Sequence, residues 1–205
     1  WSSDVCSSDL ERGARVTGVT LSRAQLAWAR QRLDAAGLEA DLRLQDYRDI
    51  DDGPYDAIVS IEMFEAVGQA YWPAFFSALR RNLRPGGHAC IQTITIRDDL
   101  FDAYRRGTDF VQQYVFPGGL LPSAAAFRAQ AAAAGFQVVD AMAFGADYAE
   151  TLRRWRCAFT LREPAVRALG FDERFMRLWH FYLAYCEAGF TSGSTDVCQF
   201  TLRRN

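Results

Sequence analysis

The sequence predicts an α/β fold built on a doubly wound, mostly parallel sheet, and three observations carry that expectation. Short β-branched or apolar runs alternate with alanine-rich helical stretches at close spacing. The run Tyr55–Ile61 (YDAIVSI) is apolar almost throughout, which suits a parallel strand covered on both faces. Helix signals punctuate these runs, with Ser22 as an N-cap and Gly37 as a C-cap around RAQLAWARQRLDAA.

In chain order, residues 14–20 (ARVTGVT) read as a strand, followed by the Ser22–Gly37 helix and an alternating strand over 40–45. An acidic loop at 49–53 leads into the apolar strand, and a helix ends near Asn82. Pro85-Gly86-Gly87 then turns the chain into a strand over 88–96. After Ile96 the rhythm changes. Residues 97–122 are long, aromatic and broken by Pro117-Gly118-Gly119. Ser123 caps a further helix that Gly135 ends, and residues 136–144 read as a strand. Two helices with aromatic faces follow over 148–168 and 172–188, and the tail 195–203 alternates as a final strand. Helices inserted before the last strand are expected to form a lid over the sheet's carboxyl edge, where open α/β sheets bind ligands.

Composition narrows the function. With 205 residues, half of them hydrophobic and 14% aromatic, the chain can bury a proper core and is neither disordered nor collagen-like. A net charge of −2 gives no general attraction to nucleic acid. Every basic side chain apart from histidine is arginine, which we read as coding bias. Five cysteines (Cys6, Cys90, Cys157, Cys186, Cys198) show no CxxC pair and no zinc spacing, so no metal is expected, and reduced thiols in the cytoplasm are. No apolar run approaches the ~20 residues of a membrane span, and no leader pattern is present. Any membrane contact is therefore expected to be peripheral. Residues 1–10 (WSSDVCSSDL), with their near-repeated Ser-Ser-Asp, read as a non-native scar.

Seven segments in order resemble the cyclopropane-fatty-acyl-phospholipid synthase family, which includes the mycolic acid cyclopropane synthases. They are VTGVTLSRAQ (16–25), LQDYRD (44–49), YDAIVSIEMFEAVG (55–68), YWPAFFSALRRNLRPGGHACIQTITI (71–96), DFVQQYVFPGGLLPS (109–123), YAETLRRWR (148–156) and FYLAYCEAGF (181–190). The resemblance covers essentially all of residues 11–205. It implies a Rossmann-like sheet of the class I methyltransferase type, a partial domain over 11–205 whose first strand and glycine-rich loop are missing, and substrate-side insertions near 97–122 and 147–192. No GxGxxG occurs in the chain. The activity it implies is S-adenosylmethionine-dependent methyl(ene) transfer to the cis double bond of an unsaturated phospholipid acyl chain, giving a cyclopropane. The implied cofactor is S-adenosylmethionine, with bicarbonate as a second small ligand. The implied setting is cytoplasmic, peripheral to the inner membrane surface, without nucleic acid. Monomer and homodimer both stay open.

Residue by residue, Thr20, Leu21, Ser22 and Gln25 match the family's cofactor-binding turn, and Asp46 and Tyr47 match its adenine loop. A plain N-cap explains Ser22 as well, and an ordinary turn explains Asp46. Glu65, in FEAVG, matches the active-site glutamate that lies near bicarbonate. Glu62 reads more simply as a solvated carboxylate at a helix start. Gln92-Thr93-Ile94 stands where many members carry a histidine that helps hold bicarbonate. Gln92 can donate a hydrogen bond but cannot titrate, which leaves cyclopropane, methylene and methyl-branched products open. The backbone of Ile94, the side chain of Tyr148 and the carbonyl of Cys186 match the remaining site positions. The insertion's aromatics, among them Tyr104, Phe110, Trp155 and Tyr182, can line an acyl tunnel, stabilise a cation or simply fill the core. Two rivals remain: a methyltransferase for a small polar acceptor, which would not need the aromatic insertion, and a non-catalytic methyltransferase-like module.

Overall fold

A computed structural model describes residues 9–205, so Cys6 and most of the proposed scar lie outside the described residues. Six strands and nine α-helices alternate among them: β1 Thr17–Thr20, α1 Arg23–Ala36, β2 Asp41–Leu44, β3 Tyr55–Ile61, α2 Phe64–Val67, α3 Trp72–Asn82, β4 Leu83–Ile96, α4 Asp98–Tyr104, α5 Phe110–Tyr114, α6 Ala124–Ala133, β5 Phe136–Ala143, α7 Gly145–Leu161, α8 Glu163–Ala168, α9 Glu173–Thr191 and β6 Thr195–Arg204. This is the α/β alternation that the sequence predicts.

The strands form two sheets. β1 and β2 pair in parallel, while β3, β4, β6 and β5 lie side by side in that order. β3 and β4 are parallel, and β6 runs antiparallel between β4 and β5. Among the described residues no strand hydrogen-bonds to β3 on its other side. Among the described residues β3 is less covered than its apolar sequence suggests, and Val59 is 46% exposed. The two sheets are tied instead through the loop after β2. Tyr47 meets Phe75 edge-on at 5.8 Å, and Arg81 donates to the carbonyls of Arg48 and Ile50.

Three further departures have local causes. The Pro85-Gly86-Gly87 turn lies inside β4 as an irregularity, with Tyr55 opposite Leu83 and Ala57 opposite His88. Gly87 is required there, since a Cβ would approach the carbonyl oxygens of Arg84 and Asp56 to 2.9 and 3.0 Å. The single helix expected over 148–168 breaks at Arg162, because Pro164 in the first turn of α8 has no N–H to continue the α7 ladder. The 97–122 region holds two short helices. α5 carries a capping box between Asp109 and Gln112, a D-x-x-Q signal that is legible in the sequence.

The core is a nest of rings between the larger sheet and α2, α3 and α6. Phe64 is fully buried and touches Trp72, Phe75, Phe76 and Phe127 at centroid distances of 5.2, 5.0, 5.7 and 5.2 Å. Phe127 in turn stacks on Phe200 of β6 at 4.3 Å. A second, smaller core joins α7 and α9 to β6 through Leu152, Leu183, Phe190 and Val197. Phe64→Ala removes the ring at the centre of the first cluster. We expect it to lower the unfolding free energy by about 3–5 kcal/mol in urea titrations, whereas Val59→Thr at an exposed position of β3 stays within about 0.5 kcal/mol.

Candidate active site

Two groups of polar residues gather at strand ends. The first follows β1 and β2. Thr20 donates from Oγ1 to Gln25 at 2.8 Å and accepts from the Ser22 amide at 3.1 Å. Ser22 caps α1 by accepting from the Gln25 amide at 3.2 Å. Leu21 projects into solvent at the same turn. Because β1 and β2 pair in register, the Gln45 amide donates to the Thr20 carbonyl at 3.1 Å, which brings Asp46 and Tyr47 beside the turn. Asp46 accepts from the Arg48 amide and guanidinium, and the guanidinium holds its carboxyl below the usual range. Tyr47 is committed to the aromatic core through Phe75.

The second group centres on two carboxylates at the end of β3. Burial of Phe64 pins α2 to the core and turns its neighbour Glu65 toward β4, where the Ile94 amide donates to Glu65 Oε1. The other oxygen, Oε2, is buried with no partner. Burial raises this carboxyl to about 7, against the opposing effect of the Ile94 amide, and nearby Glu62 adds to the rise.

Glu62 has a positive φ of 50°, a conformation that non-glycine residues adopt at a cost of about 1–3 kcal/mol. Its amide donates to the Gln92 carbonyl at 2.9 Å. One oxygen of its carboxylate accepts from Gln92 Nε2 at 2.9 Å and from the Tyr148 hydroxyl. Gln92 Nε2 also lies 3.0 Å from the Tyr148 oxygen, and its own Oε1 accepts from Gln199 Nε2 at 2.8 Å. Burial, and secondarily the bond to Glu62, pushes the Tyr148 phenol well above its ordinary value. Glu62 remains exposed, but it is a bonded member of this group rather than a free helix-start carboxylate. The signal that could have identified it is its place directly after the apolar run Tyr55–Ile61. Gln199, the partner of Gln92 across the ladder from β6, offers no such local signal.

Of the predicted residues, Glu65, Gln92, Ile94 and Tyr148 thus lie close together with Glu62. Cys186, on α9, packs with Ile94, Tyr148 and Tyr182 against the core of Leu152, Leu183, Phe190 and Val197, and burial pushes its thiol up to about 11, so it is protonated at neutral pH. Among the described residues no cluster of His, Cys, Asp or Glu could hold a metal ion.

Because Glu65 binds its proton more tightly folded than unfolded, the native state holds the extra proton between pH 4.5 and about 7. Stability therefore falls as pH rises through that window, by about 3 kcal/mol in all from this group. Glu65→Gln should flatten that slope in thermal melts across the window. An unchanged slope would show that Glu65 ionises normally.

The family model described as mycolic acid cyclopropane synthetase matches residues 1–200. The tuberculostearic acid methyltransferase of Mycobacterium tuberculosis is 48% identical over 204 residues, covering 98% of this chain and 48% of that protein. The cyclopropane-fatty-acyl-phospholipid synthase of Escherichia coli is 35% identical over 189 residues, covering 92% and 47% respectively. The chain thus spans about half the length of these curated relatives. A crystal structure of a mycolic acid cyclopropane synthase complexed with SAH and CTAB superposes with a TM-score of 0.87 at 29% identity, over 97% of this chain and 73% of the other. The Rossmann-like methyltransferase fold expected from the sequence is therefore established, and the chain belongs to the mycolic acid cyclopropane synthetase family.

Proposed function

We propose that this chain is the site-bearing part of an S-adenosylmethionine-dependent methyltransferase that adds one carbon at a cis double bond of an unsaturated phospholipid acyl chain. The observation that carries the reading is Glu65, a carboxyl raised to about 7 beside the paired Glu62, Gln92 and Tyr148. A group that changes protonation near neutral pH is suited to proton transfer there.

The residues after β1 and β2 fit the cofactor. Thr20 and Gln25 offer side-chain oxygens, the first turn of α1 supplies backbone donors, and Asp46 stays ionised to accept from an amine or hydroxyl. When bound, the cofactor supplies an electrophilic methyl group. This chain's residues must then keep water away, orient the acyl chain and take up one proton. Phe116 and Tyr182, edge to face at 6.4 Å, and Phe110 against Phe181 at 4.5 Å offer apolar walls for that chain.

Bicarbonate fits less well. Gln92, which stands where many members carry the histidine, and Tyr148 are already engaged by the Glu62 carboxylate, and a further anion would face two carboxylates. We assign the proton acceptor's role to Glu65 itself, through its unpartnered Oε2. The same substitution of a fixed carboxylate for a small anion favours a second reading of the product, a methylene or methyl branch in place of the cyclopropane ring. The 48%-identical relative, named for tuberculostearic acid, supports that second reading.

Mass spectrometry and proton NMR of lipids from a cyclopropane-free host expressing the protein test both readings. We expect unsaturated chains to gain one CH2. Ring protons support cyclopropane, and an exocyclic alkene supports the methylene branch, which a separate hydride donor would have to reduce before a methyl doublet appears. Unaltered acyl chains beside a methylated polar metabolite would overturn the lipid assignment. In the active enzyme, Glu65→Gln should lower kcat and kcat/KM together by about a hundredfold with little change in cofactor affinity.

A further inference from the structure

α7 and α9 form an antiparallel hairpin whose two ends differ in kind. At one end Tyr148 packs on Phe190 and bonds to Glu62. Along the hairpin Arg156 pairs with Glu187 and Phe159 with His180, so the α7–α8–α9 turn lies at the far end. With a rise of 1.5 Å per residue, that turn is about 20 Å from Tyr148.

The far end is apolar where a solvated turn should be polar. Leu161 is 84% exposed, Leu169 78% and Phe171 45%, with Trp155 on the adjoining outer face of α7. Its charges balance, with Arg162, Arg167 and Arg174 against Glu163, Asp172 and Glu173 over residues 161–175, but its arginines are not all paired. Arg153 and Arg154 are tied to Glu150, Arg156 to Glu187, and Arg167 to Glu163 and Glu173. Arg162 and Arg174 have no ion-pair partner among the described residues, and they adjoin Leu161 and Phe171.

We propose that this tip is a docking surface for an anionic phospholipid bilayer. Two leucines and a phenylalanine of this exposure can enter the acyl boundary, a tryptophan sits well at the headgroup level, and unpaired arginines attract the phosphates. Among the described residues no helix is long and apolar enough to cross a membrane, so the contact lies in the plane of the interface. From the tip, a row of rings leads back along α9. Phe171 stacks on Phe175 at 4.3 Å, Phe175 on Trp179 at 5.7 Å, and Trp179 meets Tyr182 at 5.0 Å, the ring beside Cys186 and within electrostatic reach of Glu62. The tip thus connects a bilayer to the site by an apolar, half-exposed track. The purpose of the surface rests on the lipid reading above, but its existence does not.

Co-sedimentation with extruded vesicles tests the surface without turnover, so it can fail while lipid methylation stands, or succeed while methylation fails. We expect the protein to partition onto phosphatidylglycerol–phosphatidylcholine vesicles and to be released by salt. Both Leu161→Asp/Leu169→Asp and Arg162→Glu/Arg174→Glu should partition about tenfold more weakly, with Leu161→Ser/Leu169→Ser as a milder version should circular dichroism show the aspartates to disturb the fold. Val139→Asp, at the exposed irregularity of β5, should partition like the wild type. Equal partition of the wild type and both double variants overturns the proposal, as does failure of the wild type to bind anionic vesicles. A self-associated protein that the leucine substitutions render monomeric, without vesicle binding, assigns the face to a second copy and also overturns it.

Discussion

The hydrogen bond from the Ile94 amide to Glu65 is the hinge of the site, and it exists only because Phe64 is locked into the core one residue earlier. Four rings surround Phe64, contributed by α3 and α6. With α2 only four residues long, it has almost no intrinsic stability, so its position is dictated by that packing. The carboxyl group is carried along into a buried place where the Ile94 amide is its donor, and its raised affinity for a proton follows from the burial. Core and chemistry are therefore one construction here.

The neighbouring group shows a different economy. Glu62 adopts a disfavoured backbone conformation, and Gln92 is held by Gln199 from one side and Glu62 from the other. With its oxygen accepting and its nitrogen facing Glu62 and Tyr148, the amide of Gln92 has a single sensible orientation. A fully bonded polar network at the end of a parallel strand pair is rigid, and rigidity is what an uncharged donor needs if it is to fix a carboxylate without titrating itself. The hairpin of α7 and α9 supplies Tyr148 to this network at one end and presents apolar and basic side chains at the other. A single pair of helices thereby serves both the candidate site and the surface that we assign to lipid.

Much of this was legible from the residues alone. The alternation of apolar strands with capped, alanine-rich helices determined the α/β class, Ser22, Gly37 and Ser123 marked helix boundaries, and seven ordered segments determined the family. Glu65 was visible as a carboxylate in an apolar stretch. These features are local, written in side-chain periodicity and capping chemistry within a few residues. The tertiary structure alone decided the rest. Whether Tyr55–Ile61 is covered depends on which strands flank it, and among the described residues Val59 is exposed despite an apolar sequence. Glu62 looked like a solvated carboxylate because its partners are 30 and 86 residues away in the chain. Gln199 is 107 residues from Gln92 and meets it only because β6 runs antiparallel beside β4. Hydrogen bonds across such separations depend on register and packing, which no local pattern encodes.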